Sequence, residues 1–297
     1  MKPLRALHYL MGTLLDCTLF DLPAKQGRCL LAQGVHEVRR LERLLSRHDP
    51  DSALSHLNRQ AGCGPVQVAP ELWQLLCLCA ALRRQTDGAF DVSAGALPSH
   101  EHTALSRVSG YVPRPAFDLS ADGWVELAPG ACLDLGGIGK GYAVDRLIEL
   151  FQAAGASRVF INFGESSLYT LGAPPDARGW PILVRGLAPE EVLGVLWCEN
   201  RALSTSHSLG RRLATGASHI LDPRTGLPLQ HPCLSTILAL SATLAEALST
   251  AVLVSGAAWT DLLARFPEAE GLYVGPDGVP HCTTGLTQCF QPYSEVL

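Results

Sequence analysis

Apolar residues recur along the chain with the spacings of helices and of strands. Residues 33–46 repeat valine and leucine at helical spacing, which predicts an amphipathic helix. Residues 70–85 predict a second helix, because Pro70 suits its first position and Arg83 and Arg84 suit its last turn.

Strand-like and further helix-like segments alternate through the rest of the sequence. The pattern predicts strands at 4–20, 159–163 and 181–185, helices at 141–154 and 243–255, and two short strands between 270 and 290. Residues 99–130 are rich in Ser, Pro and Gly, which indicates loops with short strands. No repeat or linker interrupts this order, so the mixture of strands and helices predicts an α+β domain.

The composition excludes several classes of protein. With 297 residues, 47% of them hydrophobic and 17% charged, the chain is long and apolar enough to bury a core, so it is not intrinsically disordered. A net charge of −5 argues against a general nucleic-acid binder, which carries a basic face. No run of about 18 apolar residues is present, so a membrane-spanning helix is not expected.

The ten cysteines include no C-x-x-C pair and no zinc-like cluster with histidine. Cys77 and Cys79 lie in an apolar run, which indicates mostly reduced core thiols and favours a cytoplasmic location. A disulfide framework is the alternative. The amino-terminal apolar stretch before Cys17 is short and interrupted by His8, so a first β-strand is favoured over a signal segment.

The strongest local motif is LDLGGIGKGYAVDRLIELF at residues 133–151, where a strand end runs through a glycine-rich turn into a helix. Glycines allow a ligand to approach the backbone closely, and a helix amino terminus favours anionic groups. Lys140 adds a positive charge at that end, where the helix dipole would not favour one. These features indicate a phosphate or nucleotide site, with a purely structural tight turn as the alternative.

Two further motifs carry candidate chemistry. SHILDPRTGLP at 218–228 predicts a turn around Asp222, with His219 at a strand edge; the alternative is a structural histidine and a turn-forming aspartate. In TLAEALSTAVLVSG, Glu246 and Thr250 share one face of an otherwise apolar helix. Their oxygen atoms suit Mg²⁺, whereas a first-turn Glu246 that faces solvent is the alternative.

Taken in order, these motifs and several weaker ones form a single pattern. They are MGT at 11–13, LSRHDPDSALSHLN at 45–58, DGAFDVSAGAL at 87–97, DLGGIGKGYAVD at 134–145, INFGES at 161–166, LSTS at 203–206, SHILDPRTGLP at 218–228 and AEALSTAVLVSG at 245–256. In this order they resemble the FAD:protein FMN transferases, the ApbE-type flavin transferases, over about residues 8–260. The pair DLGGIxKGYAVD and HIxDPxTGxP is the most specific part of the resemblance.

The resemblance implies a fold and a reaction. The implied fold is a single ApbE-like, T-fold-related α+β domain over 1–297, with mixed, mostly antiparallel sheets flanked by helices. Family members bind FAD as substrate together with Mg²⁺, cleave its pyrophosphate, pass FMN to a threonine or serine hydroxyl of a target flavoprotein and release AMP. The expected partners are therefore FAD and an acceptor flavoprotein with a Thr/Ser motif, with no nucleic acid and with membrane association only through the acceptor.

The resemblance also implies roles for individual residues. The implied catalytic residues are Lys140, His219 and Asp222, with His219 as the candidate general base for the incoming hydroxyl. The implied FAD contacts are Met11, His48, Ala89, Phe90, Asp91, Asp134, Lys140 and Leu221. The implied metal ligands are the backbone around Gly137 and the side chains of Glu246, Ser249 and Thr250.

The sequence departs from the family pattern at several positions. Glu246 replaces the usual aspartate of the metal helix, Ser249 stands where some members have another aspartate, and His48 replaces a tyrosine. Glu165 and Ser166 replace the second glycine and the acid of the common G-G-D. Two alternatives therefore stand beside the transferase: an FAD pyrophosphatase that gives FMN and AMP, and a catalytically inactive FAD-binding protein.

Overall fold

The structure is a computed structural model that describes residues 2–94, 116–174, 177–188, 190–209 and 218–293. Part of the predicted loop region 99–130 lies outside these ranges. The described chain divides into two compact units. The first unit is Met1–Arg39, Ile138–Gly210 and His231–Leu297, and the second unit is Arg40–Gly137 and Arg211–Gln230. The single domain expected from the sequence stays a prediction.

The elements alternate between strands and helices in chain order. The helices are α1 (Ala24–Leu45), α2 (Ala53–Arg59), α3 (Pro70–Gln85), α4 (Gly139–Ala153), α5 (Ala242–Ser255) and α6 (Trp259–Leu263). The strands are β1 (Leu4–Leu10), β2 (Thr13–Leu19), β3 (Val66–Gln67), β4 (Phe117–Leu119), β5 (Trp124–Leu127), β6 (Val159–Phe163), β7 (Ser167–Leu171), β8 (Trp180–Arg185), β9 (Val192–Cys198), β10 (Arg201–His207), β11 (Leu221–Asp222), β12 (Leu227–Pro228), β13 (Leu234–Ala239), β14 (Glu270–Val274), β15 (Pro280–Cys282) and β16 (Phe290–Pro292).

An eight-stranded sheet forms the centre of the first unit, in the order β1-β2-β6-β7-β10-β13-β14-β15. A three-stranded sheet, β16-β9-β8, belongs to the same unit. Every strand pairing in the described residues is antiparallel. The expected α+β class with antiparallel sheets and flanking helices is therefore confirmed.

The core of the first unit lies between this sheet and helix α5. Strand β13, LSTILA, is buried along its whole length, and α5 packs on β10 and β13. A helix that is apolar on nearly all sides is typical of a buried position. Ser241 caps α5 by accepting a hydrogen bond from the amide of Leu244 at 3.2 Å, and Gly256, with φ +54°, ends the helix.

The second unit contains α2, α3, the sheet β3-β5-β4 and the β11-β12 hairpin. Arg40 forms two hydrogen bonds to Glu71 of α3, at 2.6 and 2.9 Å. The Asn58 side chain binds both backbone polar groups of Leu133, at 2.8 and 2.9 Å. This side-chain amide fixes the segment that leads into the glycine-rich turn. The strand end expected there is wrong, because residues 131–135 form no strand and the preceding strand, β5, ends at Leu127.

Two of the predicted elements differ from the structure. The single strand expected at 4–20 is wrong, because Met11 and Gly12 have φ of +47° and +74° and form a two-residue hairpin turn between β1 and β2. The helix expected at 33–46 begins earlier, at Ala24. Gly34 lowers helix propensity there, but a side chain at Gly34 would come within 3.0 Å of Leu147 of α4, so packing explains the glycine.

The other predicted elements are confirmed with small shifts. Helix α3 has the predicted bounds, α4 and α5 agree within two residues at each end, and the strands at 159–163 and 181–185 are β6 and β8. Strands β14 and β15 match the two short strands expected between 270 and 290, and β16 follows them.

Within the described ranges, one apolar segment has the length and composition of a membrane span. It is Ala242–Leu263, and 67% of its most apolar stretch is buried inside the structure. Such burial is typical of a core helix. All ten cysteines lie in described residues and are unpaired.

Candidate functional site

The first turn of α4 binds a buried carboxylate of α5. The Lys140 ammonium contacts Oε1 of Glu246, and the backbone amide of Gly141 donates a hydrogen bond to Oε2 at 2.6 Å. Glu246 is only 4% exposed, so it does not face solvent, and its burial is compensated by these two donors. The same contact explains the lysine at a helix amino terminus, because Glu246 offsets the unfavourable dipole interaction.

The two helices cap each other. While Glu246 of α5 accepts from the amino end of α4, Asp145 of α4 accepts from the amino end of α5. Asp145 receives the amides of Ala242 at 2.7 Å and Thr243 at 2.9 Å, together with the Ser241 hydroxyl at 2.7 Å. Unpaired amides at a helix start are strong anion partners. The arrangement fixes the register of α5 against α4.

Glycine at 141 permits this close approach. A Cβ atom added at Gly141 would lie 2.2 Å from the carbonyl oxygen of Ala242, whereas one added at Gly139 would meet nothing within 4 Å. The glycine-rich motif therefore has a packing role at 141, and the ligand role expected from the sequence stays a prediction.

Ser249 and Thr250 continue the polar cluster towards β10. The Ser249 hydroxyl lies 3.1 Å from that of Ser204 and 2.7 Å from that of Ser206, and it is fully buried. The Ser206 hydroxyl also lies 3.4 Å from Oγ1 of Thr250. The structure thus brings together four predicted residues, Lys140, Glu246, Ser249 and Thr250. Gly137, the fifth, belongs to the second unit.

The donors of this cluster fit a hard cation. The Glu246 carboxylate and the Thr250 hydroxyl are oxygen ligands of the kind that Mg²⁺ prefers, and the Lys140 ammonium already places a positive charge on Oε1. In the residues that the structure describes, no group of three or more His, Cys, Asp or Glu side chains could hold a metal ion. A cation bound here would therefore complete its coordination with water and with oxygens of a bound phosphate.

Met11 lies at the tip of the β1-β2 hairpin, next to the turn between β6 and β7. The amide of Gly164 donates to the carbonyl of Leu14 at 2.9 Å, which holds the two turns side by side. Met11 and Glu165 both have positive φ, +47° and +57°, which is uncommon for residues other than glycine. Backbone strain of this kind clusters at ligand-binding sites.

In the second unit, Asp91 is held by Arg83 and by its own turn. Nε of Arg83 lies 2.6 Å from Oδ2 of Asp91, while Oδ1 accepts the amide of Ser93 at 2.9 Å and its hydroxyl at 2.7 Å. Ala89 and Phe90, the neighbouring predicted FAD contacts, are 0% and 3% exposed. Their contact with FAD stays a prediction.

Asp222 forms a turn through its backbone and an ion pair through its carboxylate, both with residues of the loop that follows it. Its carbonyl oxygen accepts the amides of Thr225 at 3.1 Å and Gly226 at 2.8 Å, and its carboxylate binds the Arg224 guanidinium through two bonds of 2.9 Å. The hydrogen bond to Asp222 raises the pKa of Arg224 above its usual value. His219 is exposed just before this hairpin, which also contains the predicted contact Leu221.

Asp134 organises the start of the glycine-rich turn. Its Oδ1 accepts the amide of Gly136 at 2.8 Å, and its Oδ2 lies 3.1 Å from Nε of Arg47. His48 is exposed directly after Arg47, and its amide donates to the Ser46 hydroxyl at 3.2 Å. Asp134 thus pairs with the residue directly before His48, the other predicted FAD contact of this region.

A cavity of about 280 Å³ opens in the second unit. It is lined by Arg83, Arg84, Asp87, Gly88, Asp91, Pro223 and Arg224. The cavity brings the Asp91 segment and the turn of Asp222 to one place. Guanidinium groups recognise phosphates and carboxylates, so the lining suits an anionic group.

Sequence reasoning missed four residues that the structure connects to the predicted ones. Asp145 and Arg224 lie inside the quoted motifs but have no assigned role, Ser206 lies in the LSTS motif, and Arg83 was interpreted only as a helix-closing residue. For Asp145 the sequence offers one signal: it is an acidic residue five positions after Lys140, on the helix that begins with Gly139.

The sequence matches a described family over most of its length. The family model of the ApbE family matches residues 11–273. The chain is 27% identical to the FAD:protein FMN transferase of Escherichia coli (strain K12), over 83% of this chain and 76% of that protein. It is also 27% identical to the FAD:protein FMN transferase of Treponema pallidum (strain Nichols), over 93% of this chain and 85% of that protein.

The fold is similar to that of a solved structure. The crystal structure of the ApbE protein from Thermotoga maritima superposes with a TM-score of 0.86 and 25% sequence identity, covering 98% of this chain and 100% of that one. The similarity extends over both compact units.

Proposed function

Because the chain belongs to the ApbE family, we propose that it is an FAD:protein FMN transferase. It cleaves the pyrophosphate of FAD, attaches the FMN moiety to a threonine or serine hydroxyl of an acceptor flavoprotein, and releases AMP. The observation that carries this proposal is the convergence of Lys140 and the amino end of α4 on the buried Glu246, one helical turn before Thr250.

The cluster has the chemistry that this reaction requires. The acceptor oxygen forms a bond to the phosphorus of the FMN moiety, and the bond from that phosphorus to the bridging oxygen breaks, with AMP as the leaving group. Phosphoryl transfer depends mainly on positioning and on charge neutralisation. Lys140 and the positive end of the α4 dipole supply positive charge for the pyrophosphate oxygens.

The proposal assigns Mg²⁺ to the oxygen donors of the same cluster. The predicted ligands are Glu246, Ser249, Thr250 and the backbone of Gly137, and the donor set of the first three supports a hard cation. When bound, Mg²⁺ supplies several kcal/mol of charge stabilisation to the pyrophosphate.

The second unit supplies the remaining roles of the proposal. His219 accepts the proton of the acceptor hydroxyl on its imidazole, and Asp222, through its pair with Arg224, shapes the adjacent turn. Asp91, Asp134 and the other predicted contacts bind the nucleotide. Support comes from the arginines that pair with both carboxylates, because they place cationic groups in the two segments predicted to contact the nucleotide.

Incubation of the purified protein with FAD and Mg²⁺ tests the proposal. An acceptor domain with the Thr/Ser motif is added, and the intact mass of the acceptor and the release of AMP are measured. A mass gain of one FMN moiety, lost with EDTA and with an acceptor whose hydroxyl residue is changed to alanine, is the expected result. AMP without labelling would instead identify an FAD pyrophosphatase, and bound FAD without AMP would identify an inactive flavin-binding protein.

A further inference from the structure

The two oxygens of Glu246 have partners of different mobility. Oε2 accepts a hydrogen bond from the backbone amide of Gly141, which moves only with helix α4. Oε1 is bound by the Lys140 ammonium, at the end of a flexible four-carbon chain. The Lys140 side chain is 22% exposed and that of Glu246 is 6% exposed. Lys140 can therefore leave Oε1 for another anion, while Oε2 stays fixed.

The backbone around this pair is held firmly in place. Ala242 lies so close to Gly141 that no Cβ atom fits between the helices. Asp145 accepts four hydrogen bonds from the start of α5, two from the amides of Ala242 and Thr243 and two from the hydroxyls of Ser241 and Thr243. Because α4 and α5 cannot separate easily, a ligand that binds here changes the position of the Lys140 side chain rather than that of the helices.

Lys140 and a divalent cation exclude each other at Oε1. Two like charges a few ångströms apart repel each other strongly at a partly buried position, and the repulsion doubles for a divalent ion. The cation would also have to replace the charge-assisted hydrogen bond between Lys140 and Oε1. Glu246 therefore binds a divalent cation weakly while Lys140 remains on it.

We infer that Lys140 occupies the cation position on Glu246 in the ligand-free protein and moves to the pyrophosphate when nucleotide binds. Glu246 is then free for the divalent cation, so nucleotide and cation bind cooperatively. This inference rests on the proposed function, because it takes a pyrophosphate nucleotide as the ligand of Lys140. Linkage makes the effect reciprocal: the factor by which nucleotide raises cation affinity equals the factor by which the cation raises nucleotide affinity.

Binding measurements on the full chain without acceptor test the inference. Mn²⁺ alone is titrated and followed by electron paramagnetic resonance, and FAD is titrated in EDTA and followed by flavin fluorescence. Lys140→Met should bind Mn²⁺ at least about tenfold more tightly than the wild type, which corresponds to about 1.4 kcal/mol, and should bind FAD in EDTA at least about tenfold more weakly. A merely structural role would weaken the binding of both ligands, so the opposite signs are diagnostic.

Three variants serve as controls. Lys25→Met removes the same charge from an exposed position on α1 and should change neither affinity. Glu246→Gln should lose Mn²⁺ binding, and Lys140→Arg, which keeps the charge, should bind Mn²⁺ as weakly as the wild type. Thermal unfolding of each variant verifies the fold, and Lys140→Gln replaces Lys140→Met if the latter does not fold.

The outcomes separate this inference from the proposed function. Unchanged or weaker Mn²⁺ binding by folded Lys140→Met, or Mn²⁺ binding that survives Glu246→Gln, would overturn the inference. Neither titration requires transfer, so a protein that never labels an acceptor can still show the opposite shifts. Conversely, a protein that labels its acceptor but shows no opposite shifts would retain the proposed function and lose this inference.

Discussion

Lys140 and Glu246 are each unfavourable alone and favourable together. A lysine in the first turn of a helix opposes the dipole, and a carboxylate that is 4% exposed needs a partner. The pair is separated by 106 positions in the sequence, so no local pattern predicts it. Because each side chain offsets the charge of the other, both can remain ionised at a position where a ligand can contact them.

His219 is the proposed general base, and its substitution tests the role of a single side chain. If its imidazole takes the proton of the acceptor hydroxyl, His219→Ala should lower the transfer rate by about 10²–10⁴-fold with little effect on FAD binding. Single-turnover labelling of the acceptor measures the rate. His281→Ala, at an exposed histidine on β15, is the matched control and should label at the wild-type rate. A loss of less than about tenfold for His219→Ala would leave this histidine only a positioning role.

The mutual capping of α4 and α5 is the main feature at the scale of elements. Each helix presents its amino-terminal amides to a carboxylate of the other, Glu246 in one direction and Asp145 in the other. Sequence patterns identify both helices but not this pairing, because capping by a residue of a distant helix leaves no periodic signal. Two substitutions test how much the arrangement contributes.

Gly141→Ala and Gly139→Ala form a matched pair of substitutions, because both glycines lie in the first turn of α4 but only Gly141 is closely packed. The added methyl group at 141 would lie 2.2 Å from the backbone of Ala242, so the free energy of unfolding should fall by about 3 kcal/mol. At 139 the methyl group meets nothing within 4 Å, and the change should stay within about 1 kcal/mol. Urea unfolding measures both. Equal stabilities for the two variants would contradict the close approach of the helices.

Asp145→Ala should destabilise the protein through α5. The substitution removes the acceptor of the Ala242 and Thr243 amides and of the Ser241 hydroxyl, and the expected loss is about 3 kcal/mol in urea unfolding. Asp145→Asn retains an acceptor oxygen and should lose about half as much. Asp118→Ala, at an exposed aspartate of β4, should change stability by less than about 0.5 kcal/mol. A loss as small as that for Asp145→Ala would mean that the cap does not hold α5.

The ten cysteines are spread over the whole chain, and their reactivity reports which parts of it are buried. Burial raises the pKa of Cys17 and Cys79, and it raises the pKa of Cys198 to about 12, so their reactive thiolate forms are scarce at pH 8. Titration with a thiol reagent should therefore label the exposed Cys29 and Cys63 quickly and these three slowly. Unfolding without reductant should expose all ten thiols; a smaller number would reveal disulfides.

The sequence predicted the elements of the fold better than their connections. Periodicity identified α3, α5 and β6 because each has a regular pattern and clear ends. It missed the hairpin at Met11, since a methionine with positive φ carries no turn signature of its own. It also missed the first part of α1, where Gly34 is explained by the packing of α4 rather than by a helix end.

The candidate site could be predicted only where its residues lie close in sequence. The spacing of Glu246 and Thr250 places them on one helix face, and in the structure the hydroxyls of Ser249 and Thr250 contact the Glu246 carbonyl oxygen. The contact with Lys140 and the part played by Asp145 depend on the packing of two distant helices, and so they required the structure.

One comparison tests the central claim, that the cluster around Lys140 and Glu246 is the site of FMN transfer. The rate of acceptor labelling with FAD and Mg²⁺ is measured by intact mass for the wild type and for Glu246→Gln, which keeps an acceptor for the Gly141 amide but removes the charge. We expect labelling by the wild type and a fall of at least about 100-fold in the variant, with FAD binding in EDTA retained. Labelling of the acceptor by folded Glu246→Gln at the wild-type rate would contradict it.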